Sequence, residues 1–228
     1  MRVSIIVPAL DEAAGIEHHL AALAPLRAEG HEVIVADGGS SDATATLSRP
    51  LADLVIVAPR GRALQMNAGA ARAKGDVLLF LHADTFLPER AVELIAKSLS
   101  EGHRIWGRFD VTICGRHPLI AVVAWMMNLR SRLTGIATGD QALFVRRDAF
   151  AGVGGFPEIA LMEDIALSAA LKRWSPPVCL RARVVTSGRR WEKHGVMFTI
   201  LHMWRLRLAY FLGVHPDRLA RRYRHHGS

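Results

Sequence analysis

The sequence predicts an α/β fold: a mostly parallel central sheet with helices on both faces. Three observations lead there. Four short runs, Val3–Val7, Val33–Ala36, Leu54–Val57 and Val77–Leu81, are apolar throughout and rich in β-branched residues, as strands buried on both faces are. Between them apolar residues recur at helical spacing, so strand and helix alternate as in β-α-β units. Acidic residues follow the strands: Asp11 and Glu12 after the first, Asp37 at the end of the second, Asp84 after the fourth. Open parallel sheets bind ligands outside the carboxyl ends of their strands.

Taken in order, Val3–Val7 ends at Pro8 and a polar turn, and Ile16–Leu26 reads as a helix. Val33–Ala36 runs into Asp37-Gly38-Gly39-Ser40-Ser41-Asp42, a turn whose Ser and Asp residues suit a helix start. Leu54–Val57 is followed by Gly61 and a helix to about Lys74, and Val77–Leu81 leads directly to His82-Ala83-Asp84. Beyond it, Trp106–Ile113 alternates like a strand with one exposed face, residues 118–134 form an apolar helix, and Ala142–Val145 is another short strand. Val153–Pro157 is a turn and Met162–Leu171 a helix. No repeat or linker divides the 228 residues. They are expected to form a single domain, with a ligand-binding half at about 1–100, a second half at about 101–195 and an amphipathic helix with a basic tail at about 196–228.

Two cysteines, Cys114 and Cys179, exclude a disulfide framework and a four-cysteine zinc site, and a reduced cytoplasmic setting is expected. The net charge of +8 is unevenly placed: residues 181–228 carry 11 Lys and Arg against two acids, whereas residues 1–180 carry 18 against 19. No uncharged stretch reaches the ~20 residues of a membrane span. Val196–Val214 instead has the composition of a helix lying on a bilayer surface, with Arg205 and Arg207 among Trp204, Tyr210 and Phe211, although its periodicity favours a helix packing into a core. A contact with the inner face of the cell membrane through residues 196–228 is therefore an expectation. Nucleic acid is not an expected partner, because the basic end lacks a recognised reading motif. Neither Gly-x-x-x-x-Gly-Lys-Ser/Thr nor an early Gly-x-Gly-x-x-Gly occurs, which argues against a phosphate-loop ATPase and a dinucleotide dehydrogenase. The strand-end acids suit a hard divalent cation, Mn²⁺ or Mg²⁺, shared with a diphosphate.

Six segments in fixed order carry a family resemblance. Ser4–Glu12 (SIIVPALDE), Val35–Ser41 (VADGGSS), Arg60–Gly75, Phe80–Asp84 (FLHAD), Gly154–Pro157 (GGFP) and Met162–Asp164 (MED) resemble family 2 nucleotide-sugar glycosyltransferases. The likeness extends over roughly residues 1–195. It implies the A-type glycosyltransferase fold, in which a Rossmann-like nucleotide half joins an acceptor half without a domain break. The His-Ala-Asp variant with Ser187–Gly195 (SGRRWEKHG) is most similar to a small bacterial branch labelled arsenosugar-biosynthesis glycosyltransferases.

The resemblance also implies roles. Pro8, Ala9 and Glu12 match the loop that touches the nucleoside, and Asp37 the acid that reads base or ribose, uridine diphosphate being the usual nucleotide. Arg62 lies where relatives place a basic group near the nucleotide. Asp84 matches the second acid of the Asp-x-Asp metal motif; His82 replaces the first, with Ala83 between them. His194 matches a position type from which some relatives supply a further metal ligand; it also reads as a surface His in a basic segment. Asp164 matches the general base of inverting relatives, taking the proton of the acceptor hydroxyl as that oxygen attacks the anomeric carbon. Asp140, Gln141 and Glu163 fall on the acceptor side. Arg189 and Arg190 fall in a segment that closes over the donor, where guanidiniums would clamp diphosphate oxygens and Trp191 would cover a sugar face; a solvated basic loop is the plainer reading. The implied activity is inverting transfer of a sugar from a nucleoside diphosphate to a hydroxyl or carboxylate of a small or lipid-like acceptor. The alternatives are a sugar-phosphate nucleotidyltransferase, whose glycine-rich signature with Lys is lacking after the first strand, and a membrane- or nucleic-acid-binding module using the basic tail.

Overall fold

A computed structural model of the chain describes residues 1–101, 103–189, 191 and 195–225. The four predicted strands are β1 (Val3–Ala9), β2 (Glu32–Asp37), β3 (Leu54–Val57) and β4 (Val77–Phe80). They lie parallel, β2 between β3 and β1, with β4 on the other side of β1. Ile5, Ile6, Val33, Ile34, Leu78 and Leu79 are fully buried, each contributing about 1.5–3 kcal/mol of apolar burial. Helices α1 (Ile16–Ala21), α2 (Ala24–Ala28), α3 (Thr44–Ser48), α4 (Arg62–Arg72) and α5 (Ala91–Ser100) accompany them. The predicted helix Ile16–Leu26 is thus two: Pro25, which has no N–H to donate, stands in the first turn of α2 and the chain breaks ahead of it.

The second half adds β5 (Thr85–Phe86), β6 (Trp106–Ile113), α6 (Leu119–Thr134), β7 (Phe144–Arg146), α7 (Arg147–Gly152), α8 (Glu163–Lys172), β8 (Val178–Thr186), α9 (Val196–Phe211) and α10 (Pro216–His225). All eight strands form one sheet in the order β3-β2-β1-β4-β7-β6-β8-β5. β7 is antiparallel to both β4 and β6, β6 is parallel to β8, and β5 antiparallel to β8. Two expectations are corrected. β6 is buried almost throughout rather than on one face, because Arg108 and Asp110 neutralise each other inside the protein. The strand expected at Ala142–Val145 begins only at Phe144, since Ala142 takes a left-handed conformation (φ 46°) that closes the preceding 3-10 turn, Gly139–Gln141.

Helices cover both faces. One core holds Ile16, Leu20, Ile95 and Ile120 from α1, α5 and α6; the other holds Met66, Phe150 and Leu167 from α4, α7 and α8. A small third cluster joins Ile165 of α8 to Leu206 of α9 and Leu219 of α10. The Gly-Gly-Phe-Pro turn is explained by packing: Gly154 and Gly155 have φ of 83° and 74°, where a side chain is strained. They drop Phe156 into contact with Phe80 and Phe150.

Candidate active site

The carboxyl ends of β1 and β4 open onto a cavity of about 1100 Å³ walled on its far side by α6, α8, α9 and α10. Its floor is fixed by a side chain the sequence did not advertise. Gln65 of α4 is buried and its Nε2 donates to Ala9 O and Ala36 O, both at 2.8 Å, tying the ends of β1 and β2 together. The loops that follow are laced too: Asp11 Oδ1 accepts from Ser41 N at 2.7 Å and Asp42 Oδ2 from Ala13 N at 3.0 Å. Asp11, in a left-handed conformation (φ 53°), also faces Arg60 at 3.6 Å.

Of the residues singled out from the sequence, Pro8, Ala9, Glu12, Arg62, His82, Ala83, Asp84, Asp140, Glu163, Arg189 and Trp191 line this cavity. Glu12 and Asp84 come from loops after different strands, and Arg189 bridges them: its Nη2 is 3.2 Å from Glu12 Oε2 and 3.8 Å from Asp84 Oδ2. Gly188 brings Arg189 there; a Cβ at this position would stand 1.8 Å from Cys114 O, so only glycine lets the segment lie against β6. His82 contacts Asp140 and Gly139. Its Nδ1 is 3.3 Å from Asp140 Oδ1, and its Nε2 faces Gly139 so closely that a Cβ there would be 2.4 Å away. His82 therefore presses against the Gly139–Gln141 turn.

Three predicted residues do not line the cavity. Asp37 is buried and spends its carboxylate on its own loop, accepting from Gly39 N and Ser40 N at 3.0 Å and from the Ser40 hydroxyl. Gln141 is fully buried, its Oε1 accepting from Thr138 N and its Nε2 reaching Asn128 Oδ1 at 3.3 Å, so the structure does not bring it to the acceptor side. Asp164, half-buried in the first turn of α8, accepts from Gly139 N at 2.9 Å. Its neighbour Glu163 faces the cavity; burial first, and then the nearby Asp164, raise its pKa above the ordinary carboxylate value. Met162, just before them, has a φ of 71°, a strained conformation for a side-chain-bearing residue. Arg190 and His194 lie outside the described residues.

Two lining arginines on the helices α6 and α9 were not foreseen. Arg130 of α6 and Arg207 of α9 reach the same cavity. Nε and Nη2 of Arg130 and Nε of Arg207 are shielded from solvent without a hydrogen-bond partner. Burial, with Arg207 next in weight, lowers the pKa of Arg130 to about 10.

The donor chemistry fits a hard cation. Mg²⁺ and Mn²⁺ are commonly held by one or two carboxylates together with substrate phosphates. Glu12 and Asp84, both within reach of one guanidinium nitrogen, supply such carboxylates at the cavity wall. Among the described residues no group of three His, Cys, Asp or Glu side chains forms a closed cage.

The sequence pattern of glycosyl transferase family 2 matches residues 4–151, more than half of the chain. The chain belongs to this family. Its fold is the A-type glycosyltransferase fold, shared with solved structures at low identity. Staphylococcus aureus TarS residues 1–349, solved in complex with UDP-GlcNAc, superposes with a TM-score of 0.66 at 20% identity over 82% of this chain and 58% of that one. The mannosyltransferase PcManGT of Pyrobaculum calidifontis, in complex with GDP-Man and Mn²⁺, gives 0.63 at 23% over 91% and 61%. Glucosyl-3-phosphoglycerate synthase of Mycobacterium tuberculosis, with Mn²⁺, UDP and glucosyl-3-phosphoglycerate, gives 0.60 at 19% over 81% and 70%. The chain thus spans about three fifths of the length of the first two. Comparison with curated proteins returned no match.

Proposed function

We propose that the protein is an inverting glycosyltransferase that moves a sugar from a UDP-sugar to a hydroxyl or carboxylate acceptor. The observation that carries this reading is the meeting of Glu12, Asp84 and Arg189 at the strand ends of a family 2 fold. Two carboxylates and a guanidinium there match the charges of a metal-bound diphosphate. Pro8 and Ala9 would border the nucleoside, and Arg62 and Arg189 would bind diphosphate oxygens through charge-assisted hydrogen bonds. His82 and Ala83 would border the donor, and Asp37 would act on it by shaping the loop after β2. Arg190 belongs to the same proposed clamp, and His194 is proposed as a further metal ligand. UDP is favoured because TarS and the synthase were solved with uridine nucleotides, although PcManGT was solved with GDP-Man.

Asp84, with Glu12 beside it, would hold Mn²⁺ or Mg²⁺, which when bound supplies positive charge against the leaving diphosphate. The chain's own part is positioning and proton transfer. Asp164 would take the proton of the acceptor hydroxyl while that oxygen forms its bond to the anomeric carbon and the bond to the diphosphate oxygen breaks. Glu163, its pKa raised by burial, would form a hydrogen bond to the acceptor from the cavity wall. Asp140 would hold His82 in place, and Trp191 would cover the sugar.

Binding tests the site directly. Titration calorimetry is expected to show UDP binding that requires Mn²⁺ or Mg²⁺ in the wild type and is weakened at least about tenfold in Asp84→Ala. Metal-independent binding that the substitution leaves unchanged would refute the site.

A peripheral membrane contact is proposed from a second observation. Met197, Leu201, Trp204, Leu208 and Phe211 form an exposed stripe along α9, and Val122, Trp125, Met126, Leu129 and Leu133 another along α6, while α10 adds exposed Arg218 and Arg221. Among the described residues no helix is long and apolar enough to cross a membrane, but such stripes beside basic residues suit an anionic bilayer surface. Sedimentation with phosphatidylglycerol vesicles should carry the protein down and fall with added salt; equal recovery in the supernatant with and without vesicles would refute the contact.

A further inference from the structure

α6 and α9 present matching stripes to the cavity. On α6, Val123, Met126 and Met127 lead at helical spacing to Arg130; on α9, Ile200, Met203 and Trp204 lead to Arg207. Each stripe ends in a guanidinium. The two cations repel each other, and the acid that attracts Arg130 is Asp164. Yet among the described residues neither arginine has an ion-pair partner: Asp164 spends its carboxylate on the Gly139 and Ile165 amides. A guanidinium shielded from water without a counter-charge is costly. Arg130, with Nε and Nη2 shielded, and Arg207, with only Nε shielded, stand together on the wall of one cavity, where an anion would supply the missing counter-charge.

We infer that Arg130 and Arg207 form an anion subsite on the acceptor side, which receives a carboxylate or phosphate group of an acceptor whose apolar part lies along the α6 and α9 stripes. The inference rests on the glycosyl-transfer reading for the word acceptor, but the subsite itself needs only the two arginines. Its placement follows from Arg130 and Arg207, which reach the cavity from α6 and α9: the anion would anchor the acceptor there, while the diphosphate occupies the Glu12–Asp84–Arg189 end. Guanidiniums suit this task because their fork matches the paired oxygens of either group.

The test titrates the full-length protein, with and without UDP and Mn²⁺, using octyl phosphate, octanoate, 1-octanol and inorganic phosphate. Octyl phosphate and octanoate are expected to bind at least tenfold more tightly than octanol. Arg130→Gln and Arg207→Gln should each lose at least tenfold of that affinity, with UDP affinity changed less than twofold. Octyl phosphate binding well above inorganic phosphate assigns the anion to an amphiphile, whereas equal binding of the two overturns the apolar part of the inference. Octanol binding as well as the anions, or anion affinity unchanged in both variants, overturns the subsite. A tenfold loss of UDP affinity in the variants also overturns it, because the arginines would then belong to the donor. Should Arg130→Gln fail to fold, Arg207→Gln and the comparison of octanol with octyl phosphate decide alone. Failure of the wild type to bind UDP would count against the proposed function instead, since the anion titration is read without nucleotide.

Discussion

Asp164→Asn is expected to lower the turnover of sugar transfer by about 10²–10⁴-fold, the usual contribution of a general base, while donor binding stays within about twofold. Asn has nearly the same shape, and its Oδ1 can go on accepting the 2.9 Å bond from Gly139 N, while its Nδ2 gives up the bond that the other carboxylate oxygen accepts from Ile165 N. What is lost is an oxygen able to take the acceptor's proton as the new glycosidic bond forms. The neighbouring acid provides the control. Glu163 is more deeply buried and its pKa is raised by that burial and by Asp164. Glu163 is not assigned the acceptor's proton, so Glu163→Gln, which keeps a hydrogen-bonding side chain of the same shape, is expected to cost far less. Transfer assayed by UDP release separates the two. If Glu163→Gln abolishes turnover and Asp164→Asn retains it, the base is Glu163 and the assignment made here is overturned.

How far the sequence could be read depended on whether each residue's surroundings were local. β1, β2, β3 and β4 were visible because continuous β-branched runs admit few other structures, and the strand-end acids followed from that. β8 escaped notice: Arg181 and Arg183 make Val178–Thr186 resemble a basic loop, and its pairing with β6 and β5 is entirely long-range. β5 has only two residues and depends on that pairing. At the site, residue type and strand-end position singled out Glu12 and Asp84, which line one cavity. They could not show that Asp37 would bond to its own loop, or that Gln141 would be consumed in capping a 3-10 turn. Arg130 and Arg207 were hidden for another reason. An Arg in an apolar helix usually carries its charge out to solvent along its aliphatic stem, and only the position of α6 and α9 across one cavity turns these two inward.

Asp110→Ala is expected to destabilise the protein by about 3–5 kcal/mol, the cost of stranding a buried charge. Arg108 is fully buried, and its guanidinium donates to Asp110, to Ser131 Oγ at 3.0 Å and to Asn128 O at 3.1 Å. The other Asp110 oxygen accepts from Arg132 at 2.7 Å. A break in the β6–β8 register between Phe109 and Asp110 accompanies this cluster. Without Asp110 the two neutral acceptors remain, but nothing balances the charge of Arg108. Urea unfolding should show the loss, and Arg108→Met with Asp110→Ala should restore much of it, because an apolar side chain of similar length needs no counter-charge. A loss below about 1 kcal/mol for the single variant would mean that the pair behaves like an exposed ion pair. Replacing the pair by apolar residues would still leave a deficit in function. Ser131 and Asn128 flank Arg130 on α6, and Asn128 also bonds Val111 of β6 through both amide groups and Gln141 of the turn beneath His82. The buried charges therefore fix the rotation of α6 about its axis, and with it the direction in which Arg130 enters the cavity. The double variant is accordingly expected to recover stability more completely than it recovers affinity for octyl phosphate.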